Sequence, residues 1–523
     1  MMRSITLTFL LIGLLACQQQ QAGQTAGYAI TNATVIDVKN GVALHDTTIV
    51  IRGKEIVEVG PAGKVSVPPG SAVVDGSKTF VIPGLWDMHV HTGPKEVFFP
   101  LYIANGITGI RDAGGDLPRA TGNGSTSLDE LNRWKGEIER GETLGPRMVV
   151  TGPIMDGPKP YWPGVTTPIQ SPEEARRVVR SLKEKKADFV KVYVLLPAET
   201  YYAIADESKQ QGLRFAGHVP KALTAVDAAQ AGQRCIEHLN DILRCDSVPP
   251  KELYALLRAH DTWNVPTLAV TRQFTLPGPD LLKDERLKYI PVYIREIWKK
   301  AGWHNPQDPK VLKRYASYFE TELRAVKEMH EAGVSLLAGS DSANPYTYPG
   351  FSLQDELGLL VKAGLTPLQA LRLATTEPAR FLEKQDILGT IEKGKRADLV
   401  LLDGNPLEDI SNTRRIRAVV VDGRLLEREE LQRLLDRAAS AAEKMVADSG
   451  DTIPISRVVP ATSHCTFAAS ASSAAHSAIQ LRCVRQSRGS LSRVIAGSLL
   501  PGQCLNSTRE AFGLATRQLP VQR

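Results

Sequence analysis

Residues 188–194 read DFVKVYV, a run suited to a buried strand at every position but one. Valine and aromatic residues fit pleated structure, whereas lysine is almost never fully buried without a partner. Side chains alternate along a strand, so Phe189, Lys191 and Tyr193 share one face and Val190, Val192 and Val194 the other. The valine face suits packing against helices. The Lys191 face must meet something that tolerates charge. Taken alone, the heptapeptide describes an edge strand with a solvated lysine. The rest of the chain changes that reading.

Seven further runs of similar texture surround it: FVIPGLWDMHVH (80–91), GITGIRDAGG (106–115), RMVVTGP (147–153), RFAGHV (214–219), RCIEHL (234–239), WNVPTLAV (263–270) and VSLLAGSDS (334–342). Helical stretches stand between them, among them SPEEARRVVRSLKEKK (171–186) and PAETYYAIADESKQQG (197–212). Eight strand–helix units over roughly 300 residues form the pattern of a (β/α)8 TIM barrel, an α/β fold. The long connection between the seventh and eighth strands carries Tyr289, Tyr293, Trp298, Trp303 and Tyr315. These rings either pack extra helices or form a lid over the barrel mouth.

Both flanks of this region carry a different texture. YAITNATVIDVKNG (28–41), TTIVIRGKEIVEVG (47–60) and SAVVDGSKTFVIPG (71–84) are β-rich runs separated by turn residues, and GTIEKGKRADLVLLDGNPL (389–407) and IRAVVVDGRLL (416–426) repeat the pattern. Such runs read as antiparallel sheet. The expectation is a small composite β-sandwich domain built from 28–80 and 385–428, with the barrel, 81–384, inserted between. Residues 429–450 follow as an amphipathic C-terminal helix with Leu431, Leu434, Leu435 and Met445 at helical spacing. Residues 451–523 turn rich in Ser, Ala and Arg without period or motif, as in a disordered tail or a spurious extension.

The 523 residues are 42% hydrophobic and 23% charged, an ordinary globular balance, with a formal charge of +6. No basic patch interleaved with aromatics is evident, which argues against a nucleic-acid partner. The first residues join a short charged start to an apolar run too short to span a membrane, the pattern of an export signal. Leu14-Leu15-Ala16-Cys17 resembles a bacterial lipobox. Residues 1–17 are therefore expected to be a lipoprotein signal with Cys17 lipidated, and 18–27 a flexible tether. The protein would face the periplasm from the cell envelope, at the outer membrane, touching the membrane only through this lipid. Five other cysteines, with no CxxC, form no dense disulfide framework.

In a barrel of this kind the C-terminal strand ends build the site. Read at those ends are His89 and His91 on the first strand, Lys191 on the fourth, His218 on the fifth, His238 on the sixth and Asp341 on the eighth. A single histidine there would be a structural side chain. Four with an acid point to a metal, and imidazole with carboxylate suits Zn2+, with Mn2+ or Co2+ as alternatives.

The ordered set PGLWDMHVH, VKVY, GHV, EHL and AGSDS, with ATTEPAR and GKRADLVLLDGNP after it, resembles the amidohydrolase superfamily over roughly residues 28–428. The similarity is greatest to the branch of imidazolonepropionase and the prolidase-like binuclear metal hydrolases. That resemblance implies two divalent ions. His89, His91 and Asp341 would hold the more buried one and His218 and His238 the other, with Lys191 bridging them as a carbamate formed with CO2. A lysine in an apolar pocket near cations has its charged form disfavoured, so the neutral amine can take up CO2.

The resemblance further implies hydrolysis of an amide or peptide-like carbon–nitrogen bond by a hydroxide shared between the ions. Asp341 would be catalytic as the proton shuttle. The substrate would be a small molecule or dipeptide. Arg111 is a candidate for binding a substrate carboxylate, or else a structural ion-pair partner, and Tyr193 for donating a hydrogen bond to the intermediate. Deaminases of the superfamily resemble a one-metal design with Glu three residues after the fifth-strand histidine; here that position is Lys221. Lactone or phosphotriester hydrolysis on the same centre and a non-catalytic binding lipoprotein are the other functions compatible with these residues. A homo-oligomer is compatible as well.

Overall fold

A computed structural model describes residues 27–114, 126–300, 302 and 307–446. The signal, Cys17, the tether up to residue 26, Trp303, the end of the C-terminal helix from 447, and the tail lie outside the described residues. Along the chain, β1 (Tyr28–Asp37), β2 (Val42–Arg52), β3 (Glu55–Pro61), β4 (Ala72–Asp75) and β5 (Phe80–Pro83) come first. The middle contributes β6 (Leu85–Val90), β7 (Ile107–Asp112), β8 (Arg147–Asp156), the two-residue β9 (Thr167–Pro168), β10 (Phe189–Val192), β11 (Arg214–Gly217), β12 (Cys235–Glu237) and β13 (Trp263–Val265). The chain returns to sheet in β14 (Leu399–Leu402), β15 (Ile416–Val421) and β16 (Arg424–Glu427).

Both flanks build one sheet, in the order β16-β15-β14-β5-β1-β2-β3 with β4 beside β1. It is mixed and not purely antiparallel, because β1 runs parallel to both β4 and β5. The sheet folds back on itself where Glu55 pairs with Arg396. Alternation then fills two cores. Val81, Leu399, Leu401, Ala418 and Val420 face a core inside the sheet domain. Ile82, Val400, Leu402, Val419 and Val421 face the main core. A side-chain period of two on a sheet covered on both faces gives this division. The helix Arg428–Lys444 packs Leu431, Leu434, Ala438 and Ala442 against the same main core.

The middle strands form a second sheet, β6-β7-β8-β10-β11-β12-β13, all parallel, with β9 on β8. VSLLAGSDS (334–342) forms no regular strand, yet it closes the barrel. Leu337 donates to Asn264 on one side, at 3.0 Å. On the other, Met88 donates to Ala338 at 3.0 Å and Asp341 donates to His89 at 2.8 Å. Gly339 permits this approach, since a Cβ there would stand 2.9 Å from the His89 nitrogen.

Helices cover the barrel for local reasons. The helix Pro172–Glu184 starts where Ser171 accepts from Glu174 N, with proline in the first turn and two acids behind it. It buries Ala175, Val179 and Leu182 in the core that also holds Val190 and Val192. Phe189 points the other way, into the barrel interior with Trp86, Met88 and Trp263. The two faces of DFVKVYV are therefore divided as alternation requires. Between β13 and residue 334, Tyr289, Trp298 and Tyr315 are buried and Tyr293 half-buried, so these rings are spent on packing.

Candidate metal centre

His89 lies in β6 and His91 just past its end, two residues on and so on the same face. Asp341 arrives from the closing segment. Its Oδ1 stands 3.4 Å from His89 Nε2 and 3.2 Å from His91 Nε2, and its Oδ2 3.9 Å from His238 Nε2. Ligand atoms of His89, His91 and Asp341 all lie within 4.8 Å of one another, in a buried cluster able to hold a metal ion. The His238 ring is 5.0 Å from that of His89, and the His218 ring 4.8 Å from that of His238. Lys191, 1% exposed, lies within electrostatic reach of Glu237, Arg111 and Asp341. Of the six residues read as ligands, the structure clusters His89, His91 and Asp341, with His238 and His218 following on beside them and Lys191 within electrostatic reach.

Proton positions follow from what surrounds the rings. His89 Nδ1 donates to Glu237 Oε2 at 2.6 Å, which leaves the neutral ring's Nε2 as a bare lone pair. His238 Nδ1 pairs with Thr267 Oγ1 at 2.5 Å, and its Nε2 faces Asp341. Burial pushes His89 down to about 4, helped by the Lys191 charge, and holds His238 well below the ordinary imidazole range. Burial alone would raise the Asp341 carboxyl, but the imidazoles of His89, His91 and His238 outweigh it and keep it well below the usual range. Asp341 Oδ1 is buried and receives no hydrogen bond. Lone pairs facing a carboxylate oxygen with no proton between them repel, and a buried unpaired oxygen is costly. A cation relieves both, so the donor set fits a metal.

A surrounding layer orients these groups, and sequence reasoning missed most of it. Glu237 is fully buried between His89 and Arg111, whose Nη2 donates to both of its oxygens at 2.8 and 2.9 Å. Burial would raise Glu237; Arg111, His89 and Lys191 hold it well below the carboxylate range instead. Asp241 stands 3.4 Å from His218 Nδ1 and accepts from Val219 N and Arg244. Asp87 accepts from Ser340 N at 2.9 Å and from the Ser340 hydroxyl, tying β6 to the closing segment, and burial pushes it up to about 7. His238, Thr267 and Asp341 all have left-handed backbone, with φ of 63°, 51° and 57°. Strain of this kind collects at functional sites. Gly217, at φ 141°, ends β11 directly before His218, where a Cβ would meet Val192 O at 2.1 Å.

Two expected substrate-binding residues fare differently. Arg111 is not free for a substrate: it is 1% exposed, donates to Met88 O at 2.7 Å and pairs with Glu237. Its carboxylate partner is the protein's own. Tyr193 follows β10 with its ring 4.6 Å from that of His218, and its hydroxyl accepts from Trp162 Nε1 at 2.9 Å, leaving its own proton to donate. Burial raises its pKa, so it stays protonated. Burial also lowers Lys191, against the pull of Glu237, toward the neutral amine. Cys235 and Cys245 are free thiols. A cavity of about 590 Å3 opens at the opposite end of the barrel, but its arginines are already matched, Arg147 by Asp398, Arg214 by Glu383 and Arg234 by Asp261.

A parallel barrel closed by the 334–342 segment gathers histidines and an aspartate at its strand ends, a donor set that suits a divalent ion. The model of the Amidohydrolase family matches residues 80–426, and the chain belongs to that family. It is 24% identical over 430 residues to ochratoxinase from Aspergillus niger, covering 73% of this chain and 82% of the relative. To imidazolonepropionase from Acinetobacter baumannii it is 25% identical over 397 residues, covering 71% and 92%. A solved structure of a candidate prolidase from Bifidobacterium longum superposes with a TM-score of 0.61 at 25% identity, covering 79% of this chain and 99% of that one. The protein is an amidohydrolase of the α/β barrel class and an enzyme.

Proposed function

We propose that the protein hydrolyses an amide or peptide-like carbon–nitrogen bond, as a prolidase-like dipeptidase does, with two divalent ions held at the barrel mouth. The observation that supports this reading is the buried cluster of His89, His91 and Asp341, whose Oδ1 receives no hydrogen bond, with the His238 and His218 rings following on beside it and Lys191 within electrostatic reach. His89, His91 and Asp341 would hold one ion, His218 and His238 the other, and Lys191, as its carbamate, both. Zn2+ suits these donors, and Mn2+ or Co2+ can replace it. When bound, the ions supply activated water and polarise the scissile carbonyl.

The chain's own residues do the rest. Glu237 fixes the His89 ring, and Asp241 fixes His218. Asp341, ionised and facing the histidines, takes a proton and passes it to the leaving nitrogen. Tyr193 O–H donates to the oxygen on which charge develops. The likeness to ochratoxinase and to the candidate prolidase supports carbon–nitrogen chemistry. A panel of dipeptides, N-acyl amino acids, lactones and phosphotriesters, offered to the metal-loaded protein, tests the reading. Amide cleavage is expected; turnover of lactones or phosphotriesters alone would overturn it.

We further propose that Cys17 carries lipid and holds the enzyme at the cell envelope, on the strength of LLAC at 14–17. Membrane fractionation of wild type against Cys17→Ser tests this, and wholly soluble wild-type protein would contradict it.

A further inference from the structure

The position that departs from the deaminase pattern, Lys221, has a built setting. The loop after β8 carries Tyr161 and Trp162 against Tyr193. Trp162 bonds the Tyr193 hydroxyl, and the Tyr161 ring meets those of Trp162 and Tyr193 edge-on at 5.4 and 6.2 Å. Tyr193 in turn packs on His218 at 4.6 Å. Buried Asp156 at the end of β8 anchors this wall, accepting from Tyr161 N at 2.6 Å and from Leu195 N, after β10, at 2.7 Å. An aromatic surface therefore leads from the metal-site histidines outward.

Lys221 stands at the far end of that surface. Its backbone N donates to Val194 O at 2.8 Å, and its Nζ lies 5.3 Å from the centroid of the Tyr161 ring. The side chain is exposed and forms no ion pair among the described residues. A ring face holds an ammonium without neutralising it. Arg244, which follows on the next strand's loop, is already committed to Asp241 and to the carbonyls of Val219 and Pro220.

We infer that Lys221, seated on Tyr161, is a specificity-determining residue that receives an anionic group of the substrate, while the substrate's apolar part lies along Tyr161, Trp162 and Tyr193. The inference rests on the amide-hydrolase reading above and adds the residue that selects a free carboxylate over a neutral end. A salt bridge of this kind, made to a charged ligand group, is worth roughly tenfold in affinity or more.

The test compares N-acetylphenylalanine with N-acetylphenylalaninamide on the metal-loaded enzyme, by turnover and by calorimetric binding. Wild type is expected to favour the free acid by roughly tenfold or more. Lys221→Met should lose most of that preference through KM or Kd for the acid, and Lys221→Arg should keep it. Lys159→Met, at an exposed lysine on the loop that carries Tyr161, is the control and should discriminate as wild type does. Metal content and the unfolding midpoint of each variant establish that it is folded. A Lys221→Met enzyme that discriminates like wild type, or that loses both ligands equally, would overturn the inference. So would a wild type without preference. If neither compound is cleaved but the acid still binds more weakly to Lys221→Met, the assignment of Lys221 stands and the amide-hydrolase reading falls.

Discussion

Glu237 Oε2 and His89 Nδ1 stand 2.6 Å apart in the barrel interior, and the same carboxylate takes both bonds from Arg111 Nη2. Glu237 therefore decides which nitrogen of His89 faces the metal cluster. A carboxylate behind a ligating histidine fixes its tautomer and raises its basicity, and losing such a group costs about 10–100-fold in metal affinity. Glu237→Gln should weaken metal binding by that order, measured by competition with a chromophoric chelator. Unchanged affinity would reduce Glu237 to a counterion for Arg111.

Asp341 faces three histidines and carries a buried oxygen that no donor satisfies. Asp341→Asn keeps the shape and removes the charge and the proton acceptor. It should lower kcat by on the order of 100-fold or more, the loss expected when positioned acid–base catalysis goes. Steady-state kinetics with metal content measured on the same sample checks this. Near-normal turnover with metal retained would take Asp341 out of proton transfer.

Glu322 and Glu356 are buried, each with one oxygen lacking a hydrogen-bond partner. Burial pushes both from the ordinary 4.5 up to about 8. Between those values the folded protein keeps protons that the unfolded chain has released. Stability therefore falls as pH rises from about 4.5 to about 8 and levels off above. Glu322→Gln, which mimics the protonated acid, should flatten this dependence and stabilise the protein at pH 8 relative to wild type. Denaturant unfolding at pH 5 and pH 8 measures it; equal slopes in the two proteins would contradict the assignment.

The gathering of the candidate ligands at one mouth was legible because two simple periodicities carry it. HxH at 89–91 places both histidines on one face, and parallel βα units bring the remaining strand ends to the same mouth. Glu237 was not legible. It precedes His238 directly, which on a regular strand would put the two on opposite faces. The left-handed turn at His238, φ 63°, lets both serve the interior. For Arg111 the sequence leaves a substrate carboxylate and a structural ion pair both open, because its partner Glu237, which decides for the ion pair, lies 126 residues away in the chain. The parallel pairing of β1 with β4 and β5 is likewise long-range, and local alternation carries no sign of strand direction. The closing segment 334–342 reads as a strand by composition, but the close approach at Gly339 and the turn at Asp341 make it irregular.

The proposed two-ion centre depends on Lys191 as a shared ligand. Lys191→Met keeps the apolar stem in its buried place and removes the amine, which separates packing from ligation. Metal stoichiometry and turnover measured together on this variant are the direct test. Fewer than two metal equivalents with most activity lost is the predicted result. Two equivalents and a normal rate would contradict it, and leave DFVKVYV a strand with an incidental lysine.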